Sequence, residues 1–352
     1  MTDLAVQPLS SSGGPRRLRQ TVARVAACAA TLGMLGAACA QSPAAQDPAQ
    51  ELRNWLGRIH DAATRINYVG TLVDTADGTV SSSRVLHYCE GRNQLVRIDA
   101  LDGDARAVLR INDEMRTIWP HSRVAMIEPV DPRPSFPALV TGSEQHVPDS
   151  YELHREAPDR VAGHDADRLL LKARDALRFD HEIWIDRATG LLLRVDVQLE
   201  GRTLESSAFS DVKIGVRPQP GAITTELRRL EGYRILKPSL NPTRLEDEGW
   251  IVRADALPAG FQGLGCVRRA LPAVTASATP PTLLQAMFSD GLTAVSLFIE
   301  PYQPPRQKMP GLTVIGATHT LSRQKDEFWL TAVGDVPPAT LEMLMRALDR
   351  RR

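Results

Sequence analysis

The chain has 352 residues, enough for about two domains, and its composition of 43% hydrophobic and 24% charged residues is typical of folded globular proteins. Its 42 basic and 42 acidic side chains give a net charge of zero. This balance argues against a broad nucleic-acid-binding surface, because such a surface needs a basic face.

Residues 1–40 have the pattern of a signal peptide. Four arginines between positions 16 and 24 precede an apolar stretch, 25–38, that is shorter than the roughly 20 residues needed to span a membrane. Ala38-Cys39-Ala40 then forms an A-x-A cleavage site. Export is therefore predicted, and Arg16-Arg17 leaves the twin-arginine route open beside ordinary secretion. Cys39 leaves lipoprotein anchoring open as the less favoured alternative.

An amphipathic helix is predicted to open the mature chain, because apolar side chains recur there at helical spacing: Leu52, Trp55, Leu56, Ile59, Ala63 and Ile66. The pattern then changes to period two, which is typical of strands. Strand-like runs occupy 68–73, 80–88, 94–100, 105–111, 115–119, 123–127, 151–155, 159–161, 166–172, 179–186, 191–200 and 202–214. The connections leave no room for crossover helices, so antiparallel pairing is predicted.

These runs predict one large β-rich domain over 49–215, with a sheet of about ten strands. A long antiparallel sheet curls as it twists, so it is expected to form a half-barrel with a concave apolar face. The N-terminal helix is the expected cover for that face. The predicted fold class is therefore α+β and β-rich.

A proline-rich segment, 216–243, is predicted to link this domain to a smaller α+β domain over 244–352. The second domain is expected to contain strands at 250–255, 265–271, 293–299, 313–321 and 327–333. Its last helix is expected to begin at Pro337-Pro338, because proline is favoured in a first helical turn.

No catalytic or cofactor motif stands out in the sequence. His181-Glu182 begins like a zinc-protease helix, but Ile185 occupies the position of the second ligand and the segment alternates like a strand. His164, Asp165 and Asp167 suggest a metal or acid–base site, yet the adjacent Gly163 favours a hairpin tip. We therefore predict no catalytic residue, metal or cofactor, although the sequence leaves open an active site assembled from distant residues.

Two cysteines remain in the predicted mature chain, Cys89 and Cys266. An interdomain disulfide is one interpretation in an oxidising compartment, and two free thiols are the favoured one. The lack of a C-x-x-C pair argues against a zinc site.

Four aromatic side chains of the sheet-rich half are candidates for an apolar pocket: Trp119, Phe136, Trp184 and Phe209. A curled sheet with one covering helix is hard to fill completely with side chains, which favours a pocket. The alternative for each aromatic residue is simple filling of the core beneath the helix.

Five segments resemble motifs of the RseB/MucB family and follow one another in the family's order: 67–71 (NYVGT), 184–196 (WIDRATGLLLRVD), 257–261 (LPAGF), 288–292 (FSDGL) and 333–337 (VGDVP). The similarity covers nearly the whole predicted mature chain. It implies a large N-terminal domain similar to lipoprotein-carrier folds and a smaller C-terminal domain.

The resemblance also implies a periplasmic regulator of the sigma-E envelope stress response. Members of the family bind the periplasmic segment of a membrane-anchored anti-sigma factor (RseA or MucA) and shield it from the first regulatory protease. Lipid or lipopolysaccharide signals are thought to release that hold. A homo-oligomer stays open, and no nucleic-acid partner is expected.

Peptide binding in the family involves the C-terminal domain, so the resemblance places candidate partner contacts at Phe288, Ser289, Asp290, Gly291 and Leu292. The alternative is that Ser-Asp-Gly is a turn and that Phe288 and Leu292 belong to the core. A lipid or lipoprotein carrier is a second functional hypothesis. A secreted hydrolase is a third, which the missing motifs disfavour.

Overall fold

A computed structural model describes residues 47–90, 93–130, 136–140, 144–224, 230–270, 282–304 and 309–351. The predicted signal peptide, including Cys39, lies outside the described residues. The residues from 47 onward form one compact unit that contains two large sheets. Among the helices of the described ranges, none is long and apolar enough to cross a membrane.

The first element is helix α1 (Pro48–Arg65), where the sequence predicts it. The Asp47 side chain caps its start by accepting a hydrogen bond from the Ala49 N–H, and Pro48 fits the first turn because its missing N–H has no helical partner there. Leu52, Leu56 and Ile59 are fully or almost fully buried on one face. The apolar periodicity therefore marks the face that packs against the sheet.

Strands of the first sheet follow α1, interrupted by a short helix α2 (Val147–Ser150). They are β1 (Tyr68–Ala76), β2 (Thr79–Glu90), β3 (Asn93–Ala100), β4 (Ala107–Ile111), β5 (Glu114–Trp119), β6 (Val124–Pro129), β7 (Tyr151–Arg155), β8 (Asp159–Val161), β9 (His164–Ala173), β10 (Asp180–Asp186), β11 (Leu192–Leu199) and β12 (Arg202–Ile214). Their order is β6-β5-β4-β3-β2-β1-β12-β11-β10-β9-β7, and every neighbouring pair in it is antiparallel.

This sheet is curled and does not close on itself, which confirms the predicted half-barrel. Helix α1 packs on one face, where its Leu52, Leu56 and Ile59 share a buried cluster with Ile183 and Ile185 of β10. The predicted cover is therefore present over the β9–β11 side of the sheet.

The predicted linker, 216–243, has structure of its own. Helix α3 (Pro220–Thr224) places the fully buried Ile223 in a cluster with residues of β2, β4, β5 and β6. After it, β13 (Arg234–Leu236) pairs in parallel with β6, and β14 (Leu240–Thr243) pairs with a strand of the second sheet. The segment therefore hydrogen-bonds to both sheets, and the domain boundaries stay a prediction.

The second sheet and helix α4 (Pro338–Ala347) form the smaller α+β part, which confirms the predicted class. Its other strands are β15 (Trp250–Val252), β16 (Gln262–Ala270), β17 (Thr282–Ser289), β18 (Ala294–Pro301), β19 (Gly311–Ile315), β20 (Thr318–Lys325), β21 (Phe328–Gly334) and β22 (Leu348–Arg350). Seven strands pair in the order β14-β16-β17-β18-β21-β20-β19, while β15 and β22 form a separate pair.

Two sequence-based expectations for this part were wrong, and one long strand was missed. Strand β17 was not predicted, because most of its inner residues are buried on both faces and show no alternation. The predicted strand 313–321 is a hairpin that turns at Gly316, whose positive φ of 58° suits glycine. The predicted strand 250–255 ends at Val252 and continues as a single 3-10 turn.

Leu56 tests how much the contact between α1 and the sheet stabilises the fold. Its side chain is fully buried among α1 and β10 residues. We expect Leu56→Ala to lower the free energy of unfolding by about 2–5 kcal/mol, because it removes buried methyl groups and leaves a cavity. Urea unfolding measures the change. The exposed Leu101 provides the control, since Leu101→Ala is expected to stay within about 0.5 kcal/mol.

Candidate functional site at the junction of the two sheets

The loop between β9 and β10 carries an arginine into the second sheet. Arg178 Nε donates to Asp290 Oδ2 at 2.9 Å, and the two side chains are 1% and 0% exposed. Arg178 Nη1 also donates to Asp175 Oδ2 at 2.6 Å, three residues earlier in the same loop. A fully buried ion pair therefore joins the two sheets.

Asp290 lies in the turn between β17 and β18, and its carboxylate organises that turn. Oδ1 accepts the backbone N–H groups of Leu292 and Thr293 at 3.0 and 2.9 Å, while Gly291 adopts a φ of 99° that suits glycine. Oδ2, which accepts from Arg178, also accepts from the Tyr151 hydroxyl at 3.3 Å. The carboxylate is therefore surrounded by donors from both sheets.

A second turn of the C-terminal part, 257–261, closes around the same guanidinium. The carbonyl oxygen of Ala259 accepts a short hydrogen bond from Arg178 Nη2, and the Phe261 ring centre lies 5.5 Å from the guanidinium carbon. Gly260 has a φ of 81°, and a Cβ added there would lie 2.6 Å from Ser150 Oγ. A side chain at position 260 would therefore clash with Ser150 at the end of α2.

The third C-terminal motif, 333–337, leads into α4 beside this loop. Thr340 Oγ1 of α4 donates to the Leu177 carbonyl oxygen, and the Phe179 and His319 rings lie 5.9 Å apart. Two of the C-terminal family motifs, 257–261 and 288–292, therefore contact Arg178, and the third leads into the helix that contacts the same loop. The sequence carried no signal for Arg178 itself, because its partner is far away along the chain.

The charged and polar groups of the junction stabilise one another only when Arg178, Asp290 and Tyr151 are all present. Burial raises the pKa of Tyr151 well above its usual value, and Asp290 adds to the rise, so the hydroxyl stays protonated and donates. Burial opposes the charge of Arg178, but the carboxylates of Asp290 and Asp175 outweigh this effect, and the pKa of Arg178 is raised. Removing one charge would leave the other buried and unpaired, which is the costly case for a buried ion pair.

His181, two residues before Ile183 on β10, completes the junction. Its ring meets that of Tyr151 edge to face, with ring centres 5.9 Å apart. Burial lowers the pKa of His181, and Asp290 and Asp335 oppose the shift without reversing it. The imidazole is therefore neutral at neutral pH.

The predicted partner-binding residues all lie in this junction. Phe288, Ser289, Asp290, Gly291 and Leu292 are buried. Phe288 belongs to the core of the second sheet, whereas Leu292 belongs to the cluster of α1 and β10. In this arrangement the segment connects the two parts, and its contact with a partner stays a prediction.

Three of the four predicted pocket aromatics, Phe136, Trp184 and Phe209, pack in one hydrophobic cluster, and a pocket there stays a prediction. Phe136 and Phe209 are in ring contact at 5.2 Å. Trp184 lies between the guanidinium groups of Arg168 and Arg194, at 5.4 and 4.5 Å, and its indole N–H donates to Asp159. Trp119 is half-buried on β5 and belongs to no buried cluster of the described residues.

A mostly apolar row of side chains lies across β2 to β6. The side chains that face one another in register are Val85, Ile98, Val108, Thr117 and Met126. Val85 and Ile98 pack in the same cluster as Ala62 of α1, so this row lies on the face that carries the helix. Trp119 extends the same face beyond Thr117, because alternate strand residues share a side. The sequence did not reveal this surface because it depends on strand register.

A cleft of about 1160 Å³ lies between the two sheets beside the ion pair. The loop of Arg178 and the turns after β1 and β11 line it from the first sheet, and Val314, Gly316 and Pro337 line it from the second. The turn at Gly316 also touches the first sheet, since a Cβ added there would lie 2.9 Å from Ala76 Cβ. The second sheet therefore meets the first at two separate places.

The remaining chemical candidates are held by local partners. His164 Nδ1 lies 3.3 Å from Asp186, and Asp167 binds Arg187 at 3.0 Å. Cys89 and Cys266 are free thiols. Within the described ranges, no group of three His, Cys, Asp or Glu side chains is placed to hold a metal ion.

Replacing Arg178 tests the buried ion pair. We expect Arg178→Met to lower the free energy of unfolding by about 3–5 kcal/mol, because Asp290 is left buried and unpaired. Adding Asp290→Asn should recover part of the loss, since the amide oxygen still accepts the turn N–H groups. A surface pair, Arg155–Glu51 at 2.6 Å, is the control, and Arg155→Met should cost at most about 1 kcal/mol. Equal losses in Arg178→Met and the double variant would contradict the ion-pair account.

His181 predicts a pH dependence of stability. Its pKa in the folded protein is below the usual value of 6.5, so the unfolded chain takes up the proton first as the pH falls. The contribution of neutral His181 to the free energy of unfolding is complete above about pH 6.5 and is lost as the pH falls towards the pKa of His181 in the folded protein. Stability should therefore fall more between about pH 7.5 and pH 5.5 in the wild type than in His181→Gln. The exposed His121 gives the control His121→Gln, which should follow the wild-type curve.

Comparison with known proteins identifies the family. The sequence matches the MucB/RseB N-terminal domain over residues 51–227 and the MucB/RseB C-terminal domain over residues 244–349. It is 26% identical over 307 residues to the sigma factor AlgU regulatory protein MucB of Pseudomonas aeruginosa, covering 85% of this chain and 90% of the relative. It is 24% identical over 245 residues to the sigma-E factor regulatory protein RseB of Haemophilus influenzae, covering 69% of this chain and 74% of the relative.

The fold matches a solved member as well. The crystal structure of MucB in complex with MucA(peri) superposes with a TM-score of 0.63 at 24% identity, covering 86% of this chain and 99% of that one. At this identity the superposition establishes a common fold. The domain matches together span more than half of the sequence and agree with the motifs that build the junction. The chain belongs to the MucB/RseB family.

Proposed function

We propose that the chain is a periplasmic negative regulator of the sigma-E envelope stress response. It binds the periplasmic segment of a membrane-anchored anti-sigma factor and shields that segment from regulatory proteolysis. The observation that carries this proposal is the match to both family domains in order, with two of the family motifs, 257–261 and 288–292, meeting in one buried junction. The predicted signal peptide supports a periplasmic location, with anchoring at Cys39 as the less favoured alternative.

The chain acts by binding and not by catalysis in this proposal. The named relatives are sigma-factor regulatory proteins, and the sequence offers no nucleophile or metal motif. The junction supports a binding role in a further way. Two sheets joined by a buried ion pair have a defined arrangement, and a partner that contacts both sheets would bind that arrangement best.

Lipid or lipopolysaccharide is the proposed release signal. The half-barrel presents the row Val85, Ile98, Val108, Thr117 and Met126, with Ile98, Val108 and Met126 only partly buried. Binding of an acyl chain to such a surface would be favourable, because it removes apolar surface from contact with water. If the acyl chain favours a different arrangement of the two sheets, it weakens partner binding, and the partner weakens acyl-chain binding by the same free energy.

This apolar row also supports a second candidate function, a lipid or lipoprotein carrier. A carrier would hold acyl chains and pass them to an acceptor membrane. Acyl chains extracted from the purified protein and transferable to vesicles would favour the carrier, whereas their absence would leave the regulator.

Binding to the host's anti-sigma factor tests the regulator. We expect the purified mature chain to bind the periplasmic segment with micromolar or tighter affinity in isothermal titration calorimetry. In the same samples the segment should resist the regulatory protease until the chain is displaced. Added lipopolysaccharide should restore cleavage, because the two ligands compete through the protein's arrangement.

Arg178→Met and Arg155→Met provide a matched pair for this assay. The first removes the junction cation and the second removes a surface cation of the same type. We expect only the first to weaken protection of the segment. The regulator proposal would be overturned if the wild type binds the segment without protecting it from the protease, or if folded wild type does not bind the segment.

A further inference from the structure

Strand β19 forms one edge of the second sheet. In the described part of the chain it pairs with β20 alone. All five of its residues are exposed, and Leu312, Val314 and Ile315 are 46%, 49% and 60% exposed. A row of unpaired backbone groups therefore lies beside three exposed apolar side chains.

The other edges of the two sheets carry the usual protection against pairing with another chain. Strand β14 contains Pro242, which has no N–H to donate. Strand β13 has only three residues, and β7 carries Glu152 and Arg155. Short strands, proline and charge all discourage edge pairing.

Strand β19 has none of these devices. It contains no proline and no charged residue, and its register with β20 runs over five pairs without a bulge. An exposed apolar edge of this kind is a template for an added strand. Its unpaired N–H and C=O groups therefore specify an extended chain as the ligand.

The surroundings of β19 favour a single extended chain over a second folded copy. Val314 and Gly316 line the cleft between the sheets, and the turns after β1 and β11 form the facing wall. An added strand needs about 4.8 Å beside β19, whereas a whole second sheet would meet that wall. The contact of Gly316 with Ala76 closes one end of the approach.

We propose that β19 is the docking strand for an extended segment of the anti-sigma factor, which adds to the sheet by backbone pairing. This inference rests on the proposed function and specifies its contact. The segment spans about five residues, to match β19, and is apolar at alternate positions. Those positions pack beside Leu312 and Val314, which share one face of the strand.

Charge plays a small part in this recognition. The facing wall carries both signs, with Lys172 and Arg202 near Asp77 and Glu200. Opposite signs side by side give no strong preference for a charged peptide. Main-chain pairing and alternate apolar side chains therefore supply the selectivity.

Val314→Lys tests the docking strand, because an exposed lysine on an edge strand opposes the packing of an added strand. Ile251→Lys is the matched control, since Ile251 is 43% exposed on β15, outside the cleft. With the host's periplasmic segment as the probe, titration calorimetry should show binding at least about tenfold weaker for Val314→Lys and unchanged for Ile251→Lys. Circular dichroism confirms that both variants fold.

A scan of N-methylated peptides from the same segment provides the second measurement. Strand addition predicts that methylation at every second residue abolishes binding, because alternate N–H groups point to β19. Loss at every third or fourth position would indicate a helical ligand and overturn the proposal.

The outcomes separate this inference from the proposed function. Wild-type binding that Val314→Lys leaves intact overturns the docking strand and leaves the regulator in place. No binding by the wild type overturns both. Loss of self-association in Val314→Lys, with unchanged binding of the segment, assigns the edge to a second copy of the chain and also overturns the proposal.

Discussion

The buried ion pair between Arg178 and Asp290 is the constraint on which the arrangement of the two sheets depends. Its two charges have almost no contact with water and are satisfied by donors and acceptors from three separate segments. Charges in such a site are tolerated only when paired and hydrogen-bonded. Opening the junction must rehydrate both groups together. Partial opening would leave the two charges unpaired while still buried, so arrangements between closed and fully open are disfavoured.

The junction is also continuous with the apolar core of the half-barrel. Tyr151 packs in the cluster of α1 and β10, and its hydroxyl reaches Asp290. Leu292 enters the same cluster from the turn that Asp290 organises. A ligand that disturbs the packing beneath α1 therefore acts directly on the groups that hold the second sheet. Packed side chains and hydrogen bonds of this kind can couple a lipid site on the half-barrel to a partner site on the second sheet.

Periodicity predicted the elements whose two faces differ in environment and failed where they do not. Helix α1 and the antiparallel meander have one buried and one wetter face, so their apolar spacing is visible in the sequence. Strand β17 is buried on both faces, and the hairpin at Gly316 interrupts an alternation that otherwise reads as one strand. Only one partner of the buried ion pair could be predicted from the sequence. A family motif marked Asp290, but Arg178 lies in a loop with no sequence pattern of its own. Their proximity follows from topology, which the sequence does not display.

The pairing of β1 with β12 has a consequence for how the chain folds. Tyr68 of β1 pairs with Ile214 of β12, so the centre of the first sheet joins residues from opposite ends of the domain. A chain that emerges from its N-terminus can form the β1–β2 hairpin early, but β1 keeps one open edge until β12 follows. Contacts at such large sequence separation slow folding, because the entropic cost of closing the loop comes before the contacts can stabilise it. The nascent half-barrel is therefore an open sheet for most of its synthesis, and it is in this interval that it is most exposed to wrong pairing.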